Sequence, residues 1–147
     1  MIEALDEVIH LIVQANRVLR DAGEQLAAVA GLTHSQRMVL QTMDGSRTMA
    51  DIARILGLAR QGVRRTADEL VSEGLASYQP NPRHKRANLL ELTPKGAAAL
   101  QDIRNAQQKW IEHVALVTPQ VEWIALQEPL EHLIAAVISG APNQTDE

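Results

Sequence analysis

Ile2, Leu5, Ile9, Ile12, Asn16, Leu19, Gly23 and Leu26 follow one another in steps of three and four, with acids and other polar residues among the positions between. That period predicts one long amphipathic helix over residues 2–29. Val8, Ala15, Val18 and Ala22 widen its apolar surface to a second flank. One neighbouring helix of a small domain cannot cover so broad a stripe, so the expected cover is a partner subunit; the plainer alternative is a helix buried within its own chain.

The pattern then shortens. Thr33 can cap a new helix while Gln36 reaches back in a capping-box arrangement, and Met38, Val39, Leu40 and Met43 supply its inward face before Asp44-Gly45-Ser46 stops it. Thr48 with Asp51 repeats the capping-box spacing and opens a helix over 49–56, which Gly57 ends. A further helix is predicted over 60–72, with Val63, Ala67, Leu70 and Val71 inward and Gly74 terminating it. Residues 75–79 and 88–92 alternate as the two strands of a half-covered hairpin, joined by the loop PNPRHKRA. Thr93-Pro94 starts a helix carrying Ala97, Leu100, Ile103, Trp110 and Val114, and Thr118-Pro119 starts another. Pro129 should kink that last helix or split it into two segments near Glu128, and Ala141 to Glu147 reads as a frayed tail. Ile124, Leu130, Leu133, Ile134, Val137 and Ile138 form an apolar stripe with few partners left in the chain, which fits the Ile2-to-Ile12 seam of a second subunit.

Helix, helix, strand, basic turn, strand and helix is the order of a winged helix-turn-helix. The expected fold is therefore mainly α with a small β-hairpin wing: a single domain over 1–147, with a winged helix-turn-helix module at 32–93 and dimerisation helices at 1–30 and 94–140.

Composition narrows the class. A chain of 147 residues with 46% hydrophobic and 22% charged residues has the composition of one globular domain. No apolar run approaches the ~20 residues that span a bilayer, and the N-terminus is acidic where a signal peptide is basic, so a cytoplasmic protein without a membrane partner is expected. The absence of cysteine removes disulfides, thiol catalysis, thiolate metal sites and thiol-based sensing.

Net charge is −4, but the charge is segregated. Residues 47–96 hold nine Lys or Arg against five acids, a net of +4, while the remainder holds five against thirteen, a net of −8. Arg60, Gln61, Arg64 and Arg65 fall on the outward face of the 60–72 helix, and Arg83, Lys85 and Arg86 on the turn. These are the two elements that a winged helix-turn-helix offers to a duplex. Arg60 and Arg64 form a like-charge i,i+4 pair near a helix N-terminus, which destabilises an isolated helix by ~0.2–0.5 kcal/mol and which an anionic partner would offset. Arg bonds bidentately to guanine and Gln to adenine in the major groove, so this face can read sequence. The alternative is a solvated face on which Arg64 pairs with Asp68 and Arg65 with Glu69. The basic loop suits a phosphate backbone or the minor groove. Tyr78, the only aromatic of the region, offers no stacking platform for unpaired bases, which argues against single-stranded targets.

Leu32-Thr33 with Gln36, Val39 and Leu40; Asp51-Ile52-Ala53 through Leu56-Gly57-Leu58; Val63 through Leu70 with Glu73-Gly74-Leu75; and Arg86 with Leu92-Thr93 and Gly96 together give the chain a family resemblance. Over nearly its whole length it resembles the MarR family, the multiple-antibiotic-resistance type of winged-helix regulator. The resemblance implies a homodimer whose first and last helices interlock, recognition helices in successive major grooves of a near-palindromic site, and a wing arginine in the flanking minor groove. It also implies repression of nearby genes, relieved by a small phenolic or amphipathic effector. The sequence assigns no ligand-binding residues, and His10, Gln14 and Arg17 read more plainly as solvated helix positions. The chain departs from the family pattern at His84, where an aspartate two residues before the wing arginine is usual, and at Ala59, where a serine usually opens the recognition helix. Gly62 on the first turn of that helix adds a cost of roughly 0.5–1 kcal/mol relative to alanine.

An enzyme is not expected. His10, His34, His84, His113 and His132 are scattered, with no metal-ligand spacing, phosphate loop or nucleophile motif, so no cofactor or metal is implied. The rival reading is a winged-helix module for protein interaction or sequence-neutral DNA packaging, without ligand response.

Overall fold

A computed structural model describes residues 1–140; the expected frayed tail, Ala141 to Glu147, lies outside the described residues. Helix α1 (Ile2–Ala28) is followed by α2 (His34–Gln41), a two-residue strand β1 (Arg47–Thr48), α3 (Met49–Leu56) and α4 (Arg60–Ser72). The hairpin strands β2 (Ala76–Gln79) and β3 (Leu89–Leu92) lead into α5 (Pro94–Val117), a 3₁₀ turn at Trp123–Leu126 and α6 (Gln127–Ser139). The fold is thus mainly helical with one small antiparallel sheet, ordered β1-β3-β2. The chain divides into two compact units, Met1–Trp110 and Ile111–Glu147, with the boundary inside α5.

In the first unit, Leu40, Ile52, Leu70, Leu90 and Ile103 are fully buried, one each from α2, α3, α4, β3 and α5. Thr33 and Gln36 form the full capping box expected of them: the Thr33 hydroxyl accepts from the Gln36 backbone N–H, and Gln36 Oε1 accepts from the Thr33 N–H. α1 is different. Ile2, Leu5, Val8, Ile9, Ile12, Val18 and Leu19 remain exposed within the chain. In the second unit Ile124, Leu130, Ile134, Val137 and Ile138 are also exposed, and Leu133 is half-buried.

Several sequence expectations need correction. β1 was not foreseen; its two residues pair with Leu90 and Leu89 of β3 and make the hairpin a three-stranded sheet. α2 stops before Asp44-Gly45-Ser46, because the Thr42 hydroxyl donates to the Val39 carbonyl and Arg47 Nε to the Thr42 carbonyl, satisfying acceptors that another turn of helix would have used. At the second capping-box spacing the Thr48 hydroxyl accepts from the Asp51 N–H and donates to the Asp51 carboxylate at 2.7 Å. Thr118 closes a helix where it was expected to open one, donating back to the Val114 carbonyl at 2.6 Å. The next helical residue is Trp123; beside Glu128 the expected two segments are present, the 3₁₀ turn ending at Leu126 and α6 starting at Gln127, with Pro129 in the first turn of α6, where its missing N–H has no intrahelical partner to lose. Ala97 faces out; α5 turns Gly96, Leu100 and Ile103 inward.

Candidate nucleic-acid interface

Two glycine-terminated helix ends set the position of α4. Gly57 takes φ +63°, and the Leu58 N–H bonds back to Ala53 at 2.9 Å, closing α3. Gly74 takes φ +72°, with Gly74 N–H to Val71 and Leu75 N–H to Leu70, closing α4 in a Schellman arrangement. Between them Val63, Ala67 and Leu70 are buried and Val71 is half-buried, so the helix can turn in only one way. Arg60, Gln61, Arg64, Arg65 and Asp68 are consequently exposed on the opposite face. Ala59 supplies no side-chain cap, so the first N–H groups of α4 lack the partner that a serine would give.

The base of the wing is fixed to the end of α4. The Thr93 N–H donates to the Leu75 carbonyl, the Thr93 hydroxyl to the Gly74 carbonyl and Lys95 Nζ to the Glu73 carbonyl. A Cβ on Gly96 would stand 1.9 Å from the Leu75 carbonyl oxygen, so only glycine permits this approach of α5. From that base β2 and β3 pair in the register Ala76–Leu92, Ser77–Glu91, Tyr78–Leu90 and Gln79–Leu89. Asn81 folds the loop back by accepting from the Arg83 N–H on its side chain and the His84 N–H on its carbonyl. Arg83, His84, Lys85 and Arg86 all remain exposed.

Of the seven residues singled out in the sequence, Arg60, Gln61, Arg64 and Arg86 line one cleft of about 540 Å³. Thr48, Met49, Ala50, Tyr78, Ala87 and Asn88 complete its walls, and no carboxylate is among them. Arg65 lies on the other flank of α4, where its Nε meets Glu69 at 3.3 Å. Arg83 and Lys85 project from the hairpin loop and do not line the cleft. Arg60, Arg64, Arg83, Lys85 and Arg86 have no ion-pair partner among the described residues, whereas Arg54 pairs with Asp51 and Arg65 with Glu69. These five cations of one helix face and one hairpin are thus left without a carboxylate partner, as a polyanion-binding surface requires.

Only one of the two i,i+4 pairs that the sequence allowed is made. Asp68 accepts instead from the Tyr78 hydroxyl at 2.6 Å. Burial first, and then the hydrogen bond to Asp68, push the Tyr78 phenol up to about 12. Sequence reasoning set Tyr78 aside as a lone aromatic; its place opposite the buried Leu90 is the feature that aims it at α4.

A second cleft, of about 370 Å³, lies where α1, α2 and the end of α3 meet, with Leu19, Met38, Leu56 and Leu58 as apolar walls and Arg20, His34 and Arg37 as polar ones. Arg37 is buried, donating to Gln41, Gln107 and the His34 ring. Among the described residues no cluster of His, Asp or Glu could hold a metal ion, and no helix is long and apolar enough to cross a membrane.

A profile described as the MarR family matches residues 25–87. An uncharacterized protein of Mycobacterium tuberculosis is 33% identical over 141 residues, covering 93% of this chain and 99% of its own length. Among solved structures, the M. tuberculosis transcriptional regulator MOSR in complex with DNA is 27% identical, with a TM-score of 0.69 over 89% of this chain and 96% of that one. MarR of Staphylococcus aureus in complex with salicylate and kanamycin shares 19% identity and a TM-score of 0.75, over 90% of this chain and 91% of that one.

Proposed function

The chain belongs to the MarR family, and from that membership we propose that it is a sequence-specific, double-stranded DNA-binding transcriptional regulator, acting as a homodimeric, effector-released repressor on a near-palindromic operator. The observation that carries this reading is the cleft in which Arg60, Gln61 and Arg64 of α4 and Arg86 of the wing converge, with no carboxylate in its lining. α4 enters the major groove, where each good bidentate contact from Arg or Gln discriminates by ~1–3 kcal/mol. Arg83, Lys85 and Arg86 follow the backbone and the flanking minor groove. MOSR, 27% identical, is a transcriptional regulator solved in complex with DNA, which favours the same partner here.

The dimer is supported by the unburied apolar residues of α1 and of α6, which a second copy would cover. For the effector, the α1–α2 cleft combines apolar walls with Arg20 and the buried Arg37, whose Nε has no partner among the described residues. A small amphipathic anion matches that lining, and the fold relative solved with salicylate suggests salicylate as the first compound to titrate.

Selection of bound duplexes from a random pool at physiological salt tests the reading. The expected result is an enriched inverted repeat with half-sites about one helical turn apart. Retention without enrichment would favour sequence-neutral packaging, and no retention would favour a protein-interaction module.

A further inference from the structure

We propose that Tyr78 is a positioning residue for DNA recognition: by donating to Asp68 it holds that carboxylate away from Arg64, leaving the Arg64 guanidinium free to meet the duplex. This rests on the reading of α4 as the recognition helix. Arg64 and Asp68 stand four residues apart, the spacing at which opposite charges meet on a helix. Arg65 and Glu69, one residue along, have the same spacing and the same order of charges, and they do pair, at 3.3 Å. Asp68 differs in having the Tyr78 hydroxyl on it, at 2.6 Å, within the range of a charge-assisted O–H···O⁻ bond.

The hydroxyl is well placed to compete. Tyr78 lies on β2 opposite the fully buried Leu90, and its half-buried ring packs against the core, so little rotamer freedom is left to lose. Arg64 and Tyr78 line the same cleft, and the charge of Arg64 is felt at the phenol, so the guanidinium is within electrostatic reach of the bond without pairing to its acceptor. Removing the hydroxyl should let Asp68 do to Arg64 what Glu69 does to Arg65. A paired Arg64 offers less to a base edge or phosphate, and Asp68 would carry its charge into the cleft.

The test measures affinity for the selected duplex, by fluorescence anisotropy, for Tyr78→Phe alone and in the Asp68→Asn and Arg64→Ala backgrounds. From the strength of an exposed i,i+4 pair, Tyr78→Phe should weaken binding about 1.4- to 2.3-fold for each recognition helix engaged. The effect should vanish in both backgrounds, because each lacks one member of the competing pair. Equal weakening in the Asp68→Asn background would overturn the proposal, since the phenol would then act on DNA or on the fold directly; so would no weakening at all. The chain has a single tyrosine, so ultraviolet titration reads the hydroxyl without DNA. Its ionisation should fall in Asp68→Asn part of the way from about 12 towards the ordinary 10.0. An unchanged titration would overturn the proposal even where DNA binding is normal. A wild-type chain that retains no duplex, with the titration as expected, would instead sink the DNA-binding reading and this role of Tyr78 with it.

Discussion

Gly62 and Gly96 are both helical glycines, and the same added methyl group should act on them in opposite directions. A Cβ on Gly62 meets nothing within 4 Å, so Gly62→Ala should stabilise the chain by about 0.5–1 kcal/mol through lower backbone entropy in the unfolded state. A Cβ on Gly96 would collide with the backbone of Leu75, which cannot move without breaking the Thr93 bonds at the base of the wing. Gly96→Ala should therefore destabilise by ~1–3 kcal/mol or more. Midpoints of denaturant unfolding for both variants check the pair. At the same scale, the exposed arginines of α4 and the lysine of the wing should separate by function. Arg64→Ala should relax base preference at a defined position of the selected site. Lys85→Ala should weaken all duplexes about evenly and flatten the dependence of log K on log salt by about one unit. Competition binding against a panel of single-base variants, repeated at three salt concentrations, distinguishes the two behaviours; identical profiles would remove the division between reading and anchoring.

The junction of α1 with α2 is built from polar groups at close quarters, and it should respond to pH. Gly23 brings α1 so near that a Cβ there would stand 2.3 Å from the His34 ring. His34 Nδ1 faces Arg37 Nη2 at 3.2 Å, and because arginine only donates, this contact is a hydrogen bond only in the state of the ring that leaves Nδ1 unprotonated. Burial first, then the charges of Arg37 and Arg20, hold the His34 pKa below 6.5, against the opposing pull of Glu24 and of a hydrogen bond to the Gly23 backbone. In the unfolded chain the ring titrates near 6.5, so between the folded and unfolded values the unfolded state binds more protons. The contribution of neutral His34 is thus fully present above about pH 6.5 and is lost as pH falls towards the lower folded value. Thermal melts from pH 7.5 to 5 should show a steeper acid loss for the wild-type chain than for His34→Gln, in which an amide oxygen can accept from Arg37 without titrating. Parallel curves would mean that other groups govern the acid limit. Such contacts also mark where sequence reading stops. The bounds of α3 and α4 were legible because glycine, capping residues and apolar period agree at Thr48, Gly57, Val63, Leu70 and Gly74. β1 was not, since two residues carry no period. Thr118 was misread because a threonine before proline can cap either neighbour, and the sequence does not say which carbonyl its hydroxyl will find. The outward face of α4 was legible from Val63 and Leu70 alone. The Tyr78–Asp68 bond was not, since it joins residues on separate elements whose approach is set by the strand register.

On the scale of the whole molecule, charge and apolar surface are distributed as a DNA-binding dimer would need them. The −8 net charge outside residues 47–96 discourages a duplex from approaching any other face, while the +4 segment contains α4 and the wing. The apolar side chains of α1 test the dimer directly. Ile9 and Ile12 lie on a stripe of α1 outside the buried core of the first unit, and both are exposed. In a monomer their replacement by aspartate would change stability little, since surface substitutions usually cost less than ~0.5 kcal/mol. In a dimer each would place a charge where an isoleucine is buried, losing roughly 1.5–3 kcal/mol of apolar burial per side chain in addition to the desolvation of the carboxylate. The isologous geometry of a two-fold interface applies every loss twice. Sedimentation equilibrium should therefore find the wild-type chain at twice its 16.1 kDa mass, and Ile9→Asp/Ile12→Asp shifted towards the single-chain mass. The same variant should lose affinity for an inverted repeat far more than for an isolated half-site, because one module still reads one half-site while the register between two modules is gone. A variant that stays dimeric, or that loses both duplexes equally, would place the subunit contact elsewhere than on α1.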